Sequence, residues 1–242
     1  MIYYWAWPTW GRGHATRAAA VCRRLDGSHV VIRGTADETL NASLAEYSVP
    51  FIVEEDRQFA VEFVRSIVKP TDVLVLDDGD TEDLADLADV YIWRTGRPHV
   101  PGELDVDFGG EYFPVVLLND DEILSQADAR EALGLDPTTP VRIGIPSWGD
   151  ERLLVEHRPD MVLDRTPALR YMRAAAQIIG AAGLNLVSEV SYLGLRARWF
   201  ANPRSEDQHL RLTSRGSAVP GINRASAVAD HIDAIHRQKA HV

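Results

Sequence analysis

The sequence predicts an α/β protein made of two doubly wound domains. Short runs of apolar, β-branched or aromatic residues alternate along the chain with segments of helical periodicity. This alternation is typical of a parallel sheet covered by helices on both faces. Between the two series, Asp136–Pro140 holds two prolines and two threonines, which is typical of a linker. We therefore place one domain at residues 1–134 and a second at 135–242, with a single larger doubly wound domain as the alternative.

The first domain begins with a strand and a helix joined by a glycine-containing loop. Its apolar, β-branched or aromatic runs predict strands at Ile2–Trp7, His29–Arg33, Pro50–Val53, Asp72–Leu76, Asp89–Trp93 and Phe113–Leu118. Its helical patterns lie at Gly13–Leu25, Glu38–Tyr47, Phe59–Val68, Asp80–Ala88 and Ala127–Leu133. Thr95–Gly110 contains prolines and glycines and is predicted to be a loop, and Gly134 is predicted to end the last helix.

The second domain repeats the alternation over a shorter length. Its predicted strands are Val141–Pro146, Gln177–Gly180 and Ala197–Phe200. Its predicted helices are Ala168–Ala176, Leu186–Leu193, Glu206–Ser214 and Ala225–Arg237.

Composition limits the classes of function. The formal net charge of -11 disfavours tight nonspecific binding to nucleic acid, because an acidic surface repels phosphate. With one cysteine, Cys22, the chain has no intrachain disulfide and no zinc site of several thiolates, and the helical pattern around Cys22 favours a buried, unreactive thiol. No apolar run has the length of a membrane span, and no basic segment precedes Ile2 as in a signal peptide. We therefore expect a cytoplasmic protein.

The loop after the first strand is the first candidate site. Gly11 and Gly13 allow a tight turn close to a ligand, at the carboxyl end of a strand, where open α/β sheets bind ligands. His14 stands at the entrance of the next helix, where an imidazole can accept a proton from an attacking hydroxyl near neutral pH. Trp10 offers an aromatic face to an acceptor. The alternative is a glycine turn with a helix-capping histidine.

A second glycine-containing turn follows the predicted strand Gln177–Gly180. Gly183 permits close approach of the backbone, and the next helix begins with N–H groups that suit a diphosphate. Glu189 stands about one turn into this helix, where a carboxylate can accept both hydroxyls of a ribose. After the next strand, Asp207 and Gln208 can bind hydroxyls of a polar ligand at the same sheet edge. The alternative is a solvated loop that caps the following helix.

Together the two segments resemble the GT-B glycosyltransferases, in particular the branch of the peptidoglycan GlcNAc transferases and the small-molecule UDP-sugar transferases. The first loop of that branch reads Gly-x-Gly-His before an alanine-rich helix, and Gly11–Ala18 matches it. The donor-binding stretch of the branch reads Gly-x-Asn-Thr-x-x-Glu, then Gly-x-Pro, then Pro-x-x-x-Asp-Gln. Here Gly183–Glu189, Gly194 and Pro203–Gln208 follow that pattern in order and spacing.

The resemblance implies two Rossmann-like domains facing a cleft. The C-terminal domain is expected to be shortened, because Gly149–Asp160 stands in place of a complete helix–strand unit. The implied reaction moves a sugar from a nucleoside diphosphate sugar, a UDP-sugar, to an acceptor hydroxyl, with inversion and without a metal or other cofactor. The nucleotide sugar is expected on the C-terminal domain and the acceptor on the N-terminal one. That acceptor is a small molecule, a lipid-linked sugar, a protein or a modified nucleic-acid base, and the oligomeric state is left open.

The resemblance also assigns residues to roles. The donor-binding set is Gly183, Asn185, Ser188, Glu189, Asp207 and Gln208. In this set the glycine and the N–H groups after it hold the diphosphate, the glutamate binds the ribose, and the aspartate and glutamine hold the transferred sugar. His14 is the candidate base, and Asp77 either binds the acceptor or orients His14. The loop set is Trp10, Gly11 and Gly13, and no metal ligand is assigned.

Other interpretations of the same residues remain open. Asp77–Asp80 contains an Asp-x-Asp pattern that binds a metal in another glycosyltransferase class, although a strand end followed by a helix cap is favoured. Ala181 and Leu186 stand where members of the branch often carry phosphate-binding side chains. A non-catalytic nucleotide-sugar-binding protein is therefore one alternative function. A non-hydrolysing UDP-sugar epimerase is another, but it needs acid–base carboxylates for which the sequence offers no matching set.

Overall fold

The computed structural model describes residues 1–7, 13–34, 45–77, 82–93, 107–108, 111–112, 115–146, 151–165, 167–203, 208–209, 212 and 223–241. The chain divides into two compact units, Met1–Leu117 with Arg224–Val242, and Leu118–Asn223. Each unit contains its own parallel sheet. The predicted fold class, two doubly wound α/β domains, is confirmed, and the alternative of one larger sheet is wrong.

The first unit is built on a five-stranded parallel sheet in the order β3-β2-β1-β4-β5. Its strands are β1 (Ile2–Trp5), β2 (His29–Arg33), β3 (Phe51–Val53), β4 (Val73–Asp77) and β5 (Val90–Trp93). In the pairing of β1 with β4, Tyr4 lies opposite Val75 and Trp5 opposite Leu76. Because successive side chains of a strand point to opposite faces, Tyr4 and Asp77 share one face of the sheet and Trp5 lies on the other.

Helices cover both faces of this sheet. On the Trp5 face, α2 (Arg57–Ile67) packs Ala60 and Val64 into the core. Asp56 caps α2, because its carboxylate accepts the N–H of Phe59 at 3.0 Å. The opposite face is covered by α1 (Gly13–Cys22) and by the C-terminal helix Ala225–Ala240, which contacts α1 and β4.

The C-terminal helix belongs to the first unit, although the sequence analysis assigned it to the second domain. The buried carboxylate of Asp233 accepts the backbone N–H groups of Asp26 at 2.8 Å and Gly27 at 3.1 Å. Lys239 Nζ donates to Asp89 at 2.7 Å. The apolar side of the helix is buried through Ala225, Val228, Ala229 and Ile232. These contacts join residues distant in sequence, so local periodicity could not reveal them.

Two predicted elements of the first unit take other conformations. Within the predicted helix Asp80–Ala88, residues Glu82–Leu84 form a single 3-10 turn. Residues 115–118, the end of the predicted strand Phe113–Leu118, are buried but are not part of a strand. A buried strand and a buried irregular segment both require a run of apolar residues. The composition of residues 115–118 therefore could not distinguish between the two.

Two further predictions fall in parts of the chain that are described only in places. Of the predicted loop Thr95–Gly110, the described residues belong to β6 (Asp107–Phe108), which pairs antiparallel with β7 (Glu111–Tyr112). Most of the predicted helix Glu38–Tyr47 lies outside the described residues.

The boundary between the units lies at residues 117–118, before the predicted linker. Helix α3 (Gln126–Ala132) is capped by Ser125 and packs against the 3-10 helix Ala168–Ala174 of the second unit. After α3, Gly134 has a φ of 66° and ends the helix in the left-handed conformation, as predicted.

The predicted linker Asp136–Pro140 is an ordered turn within the second unit. One carboxylate oxygen of Asp136 accepts hydrogen bonds from the backbone N–H and hydroxyl groups of Thr138 and Thr139. The buried guanidinium of Arg130 donates to the carbonyl groups of Asp136, Thr139 and Ala174. These bonds tie the turn to α3 and to the 3-10 helix, which explains why the division of the chain differs from the expected one at residue 134.

The second unit is built on a four-stranded parallel sheet in the order β11-β10-β8-β9. Its strands are β8 (Arg142–Ile145), β9 (Met161–Val162), β10 (Gln177–Ala181) and β11 (Ala197–Phe200). Helix α4 (Glu151–Glu156) packs Leu154 against Ile179, Ala181 and Phe200 on one face. Helix α5 (Leu184–Tyr192) covers the other face, with Leu186 over Gly180.

The segment Gly149–Asp160 does not replace a helix–strand unit, because it contains most of one. It includes α4, which is six residues long, and leads into the two-residue strand β9, which pairs with β8. The second unit is therefore short because these elements are short. None of the helices in the described ranges is long and apolar enough to cross a membrane.

Candidate functional site

Each sheet has one point where the winding of the chain reverses. In the first sheet the chain moves from β1 outward through β2 and β3, and then returns to the other side of β1 for β4 and β5. Open α/β sheets bind ligands at such a topological switch point, outside the carboxyl ends of the two strands. The first switch point therefore lies at the ends of β1 and β4, and the second at the ends of β8 and β10.

The two predicted catalytic residues meet at the first switch point. Asp77 ends β4 and is fully buried, and His14 stands on the first turn of α1 with 8% of its surface exposed. His14 Nδ1 lies 3.0 Å from both Oδ1 and the main-chain oxygen of Asp77. This contact is the one that an orienting role for Asp77 requires. Because its side chain is fully buried, the Asp77 carboxylate is not available to bind an acceptor.

Two further side chains, Arg17 and Tyr4, complete the cluster around Asp77. Arg17 Nη2 donates to Asp77 Oδ1 at 2.6 Å, and Arg17 Nε lies 3.2 Å from each carboxylate oxygen. The Tyr4 hydroxyl donates to Oδ2 at 2.8 Å. Arg17 follows His14 by three residues on α1, so both side chains project from one side of the helix. We call His14, Arg17, Tyr4 and Asp77 the switch-point cluster.

The charge state of Asp77 follows from these contacts. Burial alone would raise its pKa, but the Arg17 guanidinium and the His14 ring outweigh burial and hold the pKa of Asp77 well below its ordinary value. Burial, together with the Asp77 charge, raises the pKa of Tyr4 well above its ordinary value, so Tyr4 remains a neutral donor. The cluster therefore holds an ionised carboxylate among donors.

The tautomer of His14 can be assigned from its neighbours. Within the switch-point cluster, Nδ1 lies near two acceptors, both on Asp77, and near one donor, Arg17 Nη2 at 2.7 Å. With a hydrogen on Nδ1, the ring donates a hydrogen bond to the ionised carboxylate. Without that hydrogen, the lone pair of Nδ1 would face the lone pairs of two oxygens, which is unfavourable. The geometry therefore favours hydrogen on Nδ1, which leaves the lone pair of the ring on Nε2.

In the second unit, the N-terminus of α5 lies at the switch point. Gly183 follows β10 and occupies the cap position without a side-chain hydrogen bond at the cap. A Cβ on Gly183 would lie 3.8 Å from Nε2 of Gln208. Gln208 Oε1 accepts the N–H of Asn202 at 2.9 Å, which fixes the side-chain amide beside the turn. The structure thus places Gln208, which is predicted to hold the sugar, beside Gly183, which is predicted to hold the diphosphate.

Glu189 lies on the second turn of α5. Part of the residue reaches the surface, but burial raises the pKa of its carboxyl to about 8. Among the described residues, no hydrogen bond or ion pair to this carboxyl offsets that burial. A neutral carboxyl at this position can donate one hydrogen bond and accept others, which suits a pair of adjacent hydroxyls.

The remaining described residues of the donor stretch differ in accessibility. Asn185 is half-buried on the first turn of α5, whereas Ser188 is 3% exposed, so its hydroxyl has little access to a ligand. Packing explains both departures from the glycosyltransferase pattern. Ala181 belongs to the apolar core beneath α4, and a Cβ on Gly180 would meet Leu186 at 2.5 Å.

Some of the predicted site lies outside the described residues, namely Trp10, Gly11 and Asp207. Gly13 is described and is the first residue of α1. Arg17 and Tyr4 were not predicted. For Arg17, the available signal was its position as a lone arginine on an alanine-rich helix, three residues after His14. The sequence offered no signal for the second, because the shared face of Tyr4 and Asp77 depends on the register of β1 against β4.

The geometry of the described residues does not support the alternative of a metal site at Asp77–Asp80. Only Asp77 of this segment is described, and its carboxylate is surrounded by the switch-point cluster. In the described ranges, no three His, Cys, Asp or Glu side chains are grouped to hold a metal ion. Cys22 is buried, as predicted, and burial raises the pKa of its thiol, which is consistent with the expected low reactivity.

Comparison with known proteins gives similarity to solved structures only. No protein-family profile matches the chain, and no curated protein matches it. MurG of Acinetobacter baumannii is similar at 12% identity and a TM-score of 0.48, over 98% of this chain and 90% of that chain. Alr3699/HepE of Anabaena, solved in complex with UDP, is similar at 11% identity and a TM-score of 0.42, over 99% of this chain and 98% of that chain. The fold class itself rests on the two parallel sheets described above.

Proposed function

We propose that this chain is a glycosyltransferase that moves a sugar from a UDP-sugar to an acceptor hydroxyl, with inversion and without a metal. The observation that carries the proposal is the His14–Asp77 pair at the first switch point. An imidazole held 3.0 Å from an ionised carboxylate is suited to accept a proton from a hydroxyl. A capping glycine beside a glutamine amide at the second switch point suits the donor.

In the proposed reaction, the acceptor oxygen attacks the anomeric carbon and forms the new C–O bond. The bond from that carbon to the diphosphate oxygen breaks, and the nucleoside diphosphate leaves with the electron pair. The hydroxyl proton moves to Nε2 of His14, and Asp77 stabilises the imidazolium that forms. Attack from the side opposite the leaving group inverts the anomeric carbon.

The leaving group needs stabilisation of its negative charge. We assign this task to the N-terminal N–H groups of α5, where the positive end of the helix dipole favours a diphosphate. Glu189 binds the ribose hydroxyls, Gln208 and Asp207 hold the transferred sugar, and Asn185 completes the donor stretch, whereas the buried Ser188 supports it from within the fold. No metal has a role in this scheme, because the helix N-terminus supplies the compensating charge.

The acceptor is assigned to the first unit, which holds His14. Trp10, Gly11 and Gly13 belong to the loop that precedes or opens α1, and we propose that they shape the acceptor site. The formal net charge of -11 favours a small molecule, a lipid-linked sugar or a protein over a nucleic-acid base as acceptor.

The proposal is tested by incubating the purified full chain with UDP-, TDP-, GDP- and ADP-linked sugars. Release of nucleoside diphosphate is measured with and without a cell extract as the source of acceptor, and with and without EDTA. We expect UDP release that depends on the extract, persists in EDTA and is lost in His14→Ala. Binding of UDP without release from any donor would indicate a non-catalytic binding protein, and interconversion of the donor sugar would indicate an epimerase.

A further inference from the structure

We propose that Arg17 and Tyr4 are positioning residues, which act on His14 by holding the Asp77 carboxylate in one orientation and as an acceptor. The kinetic consequence of this inference rests on the proposed function. Its structural consequence, the position of the hydrogen on the His14 ring, does not.

The inference begins with how the carboxylate of Asp77 is occupied. Arg17 Nη2 and His14 Nδ1 approach Oδ1 at 2.6 and 3.0 Å, and Tyr4 approaches Oδ2 at 2.8 Å. Arg17 Nε lies 3.2 Å from both oxygens and therefore lies across the carboxylate. With donors on both oxygens, the group cannot rotate without breaking hydrogen bonds in a buried site. Oδ1 is thereby kept facing His14.

Arg17 also decides the direction of the hydrogen bond between His14 and Asp77. A buried carboxyl without a cation beside it tends to take up a proton. A protonated Asp77 could donate to Nδ1, and the ring hydrogen would then lie on Nε2, the nitrogen that must accept the proton from the acceptor. The guanidinium beside Asp77, with only 4% of the Arg17 side chain exposed, favours the ionised form and so disfavours this reversed bond.

A purely structural ion pair makes a different prediction. If Arg17 only fastened α1 to β4, any folded variant would keep the His14 ring unchanged. If Arg17 positions His14 through Asp77, the ring tautomer changes even in a variant that is stably folded. The ring tautomer is therefore the readout that separates the two roles.

The test uses ¹⁵N-labelled full chain and long-range ¹H–¹⁵N spectra of the histidine rings, with His14 assigned by His14→Gln. The variants are Arg17→Met, Arg17→Lys, Tyr4→Phe and the double variant Arg17→Met/Asp77→Asn. Arg65→Met is the matched control, because it removes one exposed arginine that pairs with Asp86. Circular dichroism verifies that each variant is folded.

We expect hydrogen on Nδ1 in the wild type, in Arg65→Met and in Arg17→Lys, which keeps the cation. Arg17→Met is expected to move the hydrogen to Nε2 in most molecules, and Tyr4→Phe in a smaller fraction. Since Arg17→Met leaves a buried charge unpaired, it can fail to fold. The double variant removes both charges, and we expect it to fold with the hydrogen on Nε2, because an asparagine amide can donate to Nδ1.

The same variants are then assayed for release of UDP. Arg17→Met is expected to lower kcat about tenfold to a hundredfold, less than the 10²–10⁴-fold contribution typical of a general base, with KM for the donor unchanged. A folded Arg17→Met or double variant that keeps the hydrogen on Nδ1 would overturn the inference. If the tautomer changes as expected but the wild type transfers no sugar, the inference stands and the proposed reaction fails.

Discussion

The two switch points differ in how their polar groups are held. In the first unit, the Asp77 carboxylate is surrounded by His14, Arg17 and Tyr4, all within 3.2 Å. In the second unit, burial raises the pKa of Glu189 to about 8, and no ion pair or hydrogen bond among the described residues offsets it. The first site is arranged before any ligand arrives, whereas the second contains a polar group that a ligand would satisfy.

Under the proposed function, this difference corresponds to a division of tasks between the units. A group that transfers a proton benefits from being held in place. The free-energy cost of orienting it is then met during folding and does not add to the activation barrier of the reaction. A group that binds a ligand gains most when it has unused hydrogen-bonding capacity. We therefore expect changes in the first unit to affect turnover and stability, and changes in the second to affect affinity.

The largest expected effect is on turnover. His14→Ala removes the proposed base and should lower kcat for sugar transfer about 10²–10⁴-fold, with little change in the affinity for UDP. Steady-state kinetics and calorimetric titration with UDP measure the two quantities. His231→Ala, at an exposed position of the C-terminal helix, is the control and should keep both values. Near-normal turnover in His14→Ala would mean that His14 is a structural cap and that the base lies elsewhere.

The next effect concerns stability in the first unit. Asp77→Asn removes the charge that pairs with the buried Arg17 guanidinium and should lower the free energy of unfolding by about 3–5 kcal/mol, measured by urea denaturation. The pKa of Asp77 is lowered in the folded protein, so its stabilising contribution is present above about pH 4 and is lost as the pH falls further. The wild type should therefore lose more stability than Asp77→Asn below about pH 4. Equal acid sensitivity of the two proteins would show that Asp77 is not held as the buried carboxylate described here.

In the second unit, the expected effect is on binding. Glu189→Ala leaves ribose hydroxyls without their partner and should weaken UDP binding by about 1–3 kcal/mol, measured by calorimetry. Glu156→Ala, which removes an exposed carboxylate at the end of α4, serves as the matched control and should bind UDP as the wild type does. Equal affinity of wild type and Glu189→Ala for UDP would show that Glu189 does not bind the ribose.

The remaining expected effect is the pH dependence of the stability that Glu189 contributes. Its pKa is raised in the folded protein, so between about pH 4.3 and 8 the folded state holds a proton that the unfolded state releases. The stability contribution is therefore greatest below this range and falls as the pH rises, by about 1.4 kcal/mol per pH unit at most. Glu189→Gln should flatten this slope in thermal or urea unfolding between pH 5 and 8. An unchanged slope would show that the carboxyl is solvated in the folded chain.

The arrangement of the first site could be predicted in part from the sequence. His14 and Asp77 each follow a recognisable strand, and parallel strands bring their carboxyl ends to one edge of the sheet. The contribution of Tyr4 required the register of β1 against β4, which the sequence does not contain. Arg17 required the knowledge that its side of α1 faces the sheet. The separate residues were thus predictable, and their hydrogen bonding was not.

The division of the chain was less predictable. A proline- and threonine-rich segment indicates a linker on composition, yet Asp136–Pro140 is held by Arg130 through carbonyl groups that the fold brings together. The C-terminal helix joins the first unit through Asp233 and Lys239, whose partners are far away in sequence. Both outcomes depend on tertiary hydrogen bonds, whereas composition and periodicity report only on local structure.

The most direct test of the division of tasks is one set of measurements on wild type, His14→Ala and Glu189→Ala. For each protein, kcat is measured at saturating UDP-sugar with a verified acceptor, and the Kd for UDP is measured by calorimetry. The account predicts that His14→Ala lowers kcat and leaves Kd unchanged, while Glu189→Ala raises Kd and leaves kcat nearly unchanged. If both variants change the same parameter, or if neither changes its own, the proposed division between a proton-transferring and a donor-binding unit is contradicted.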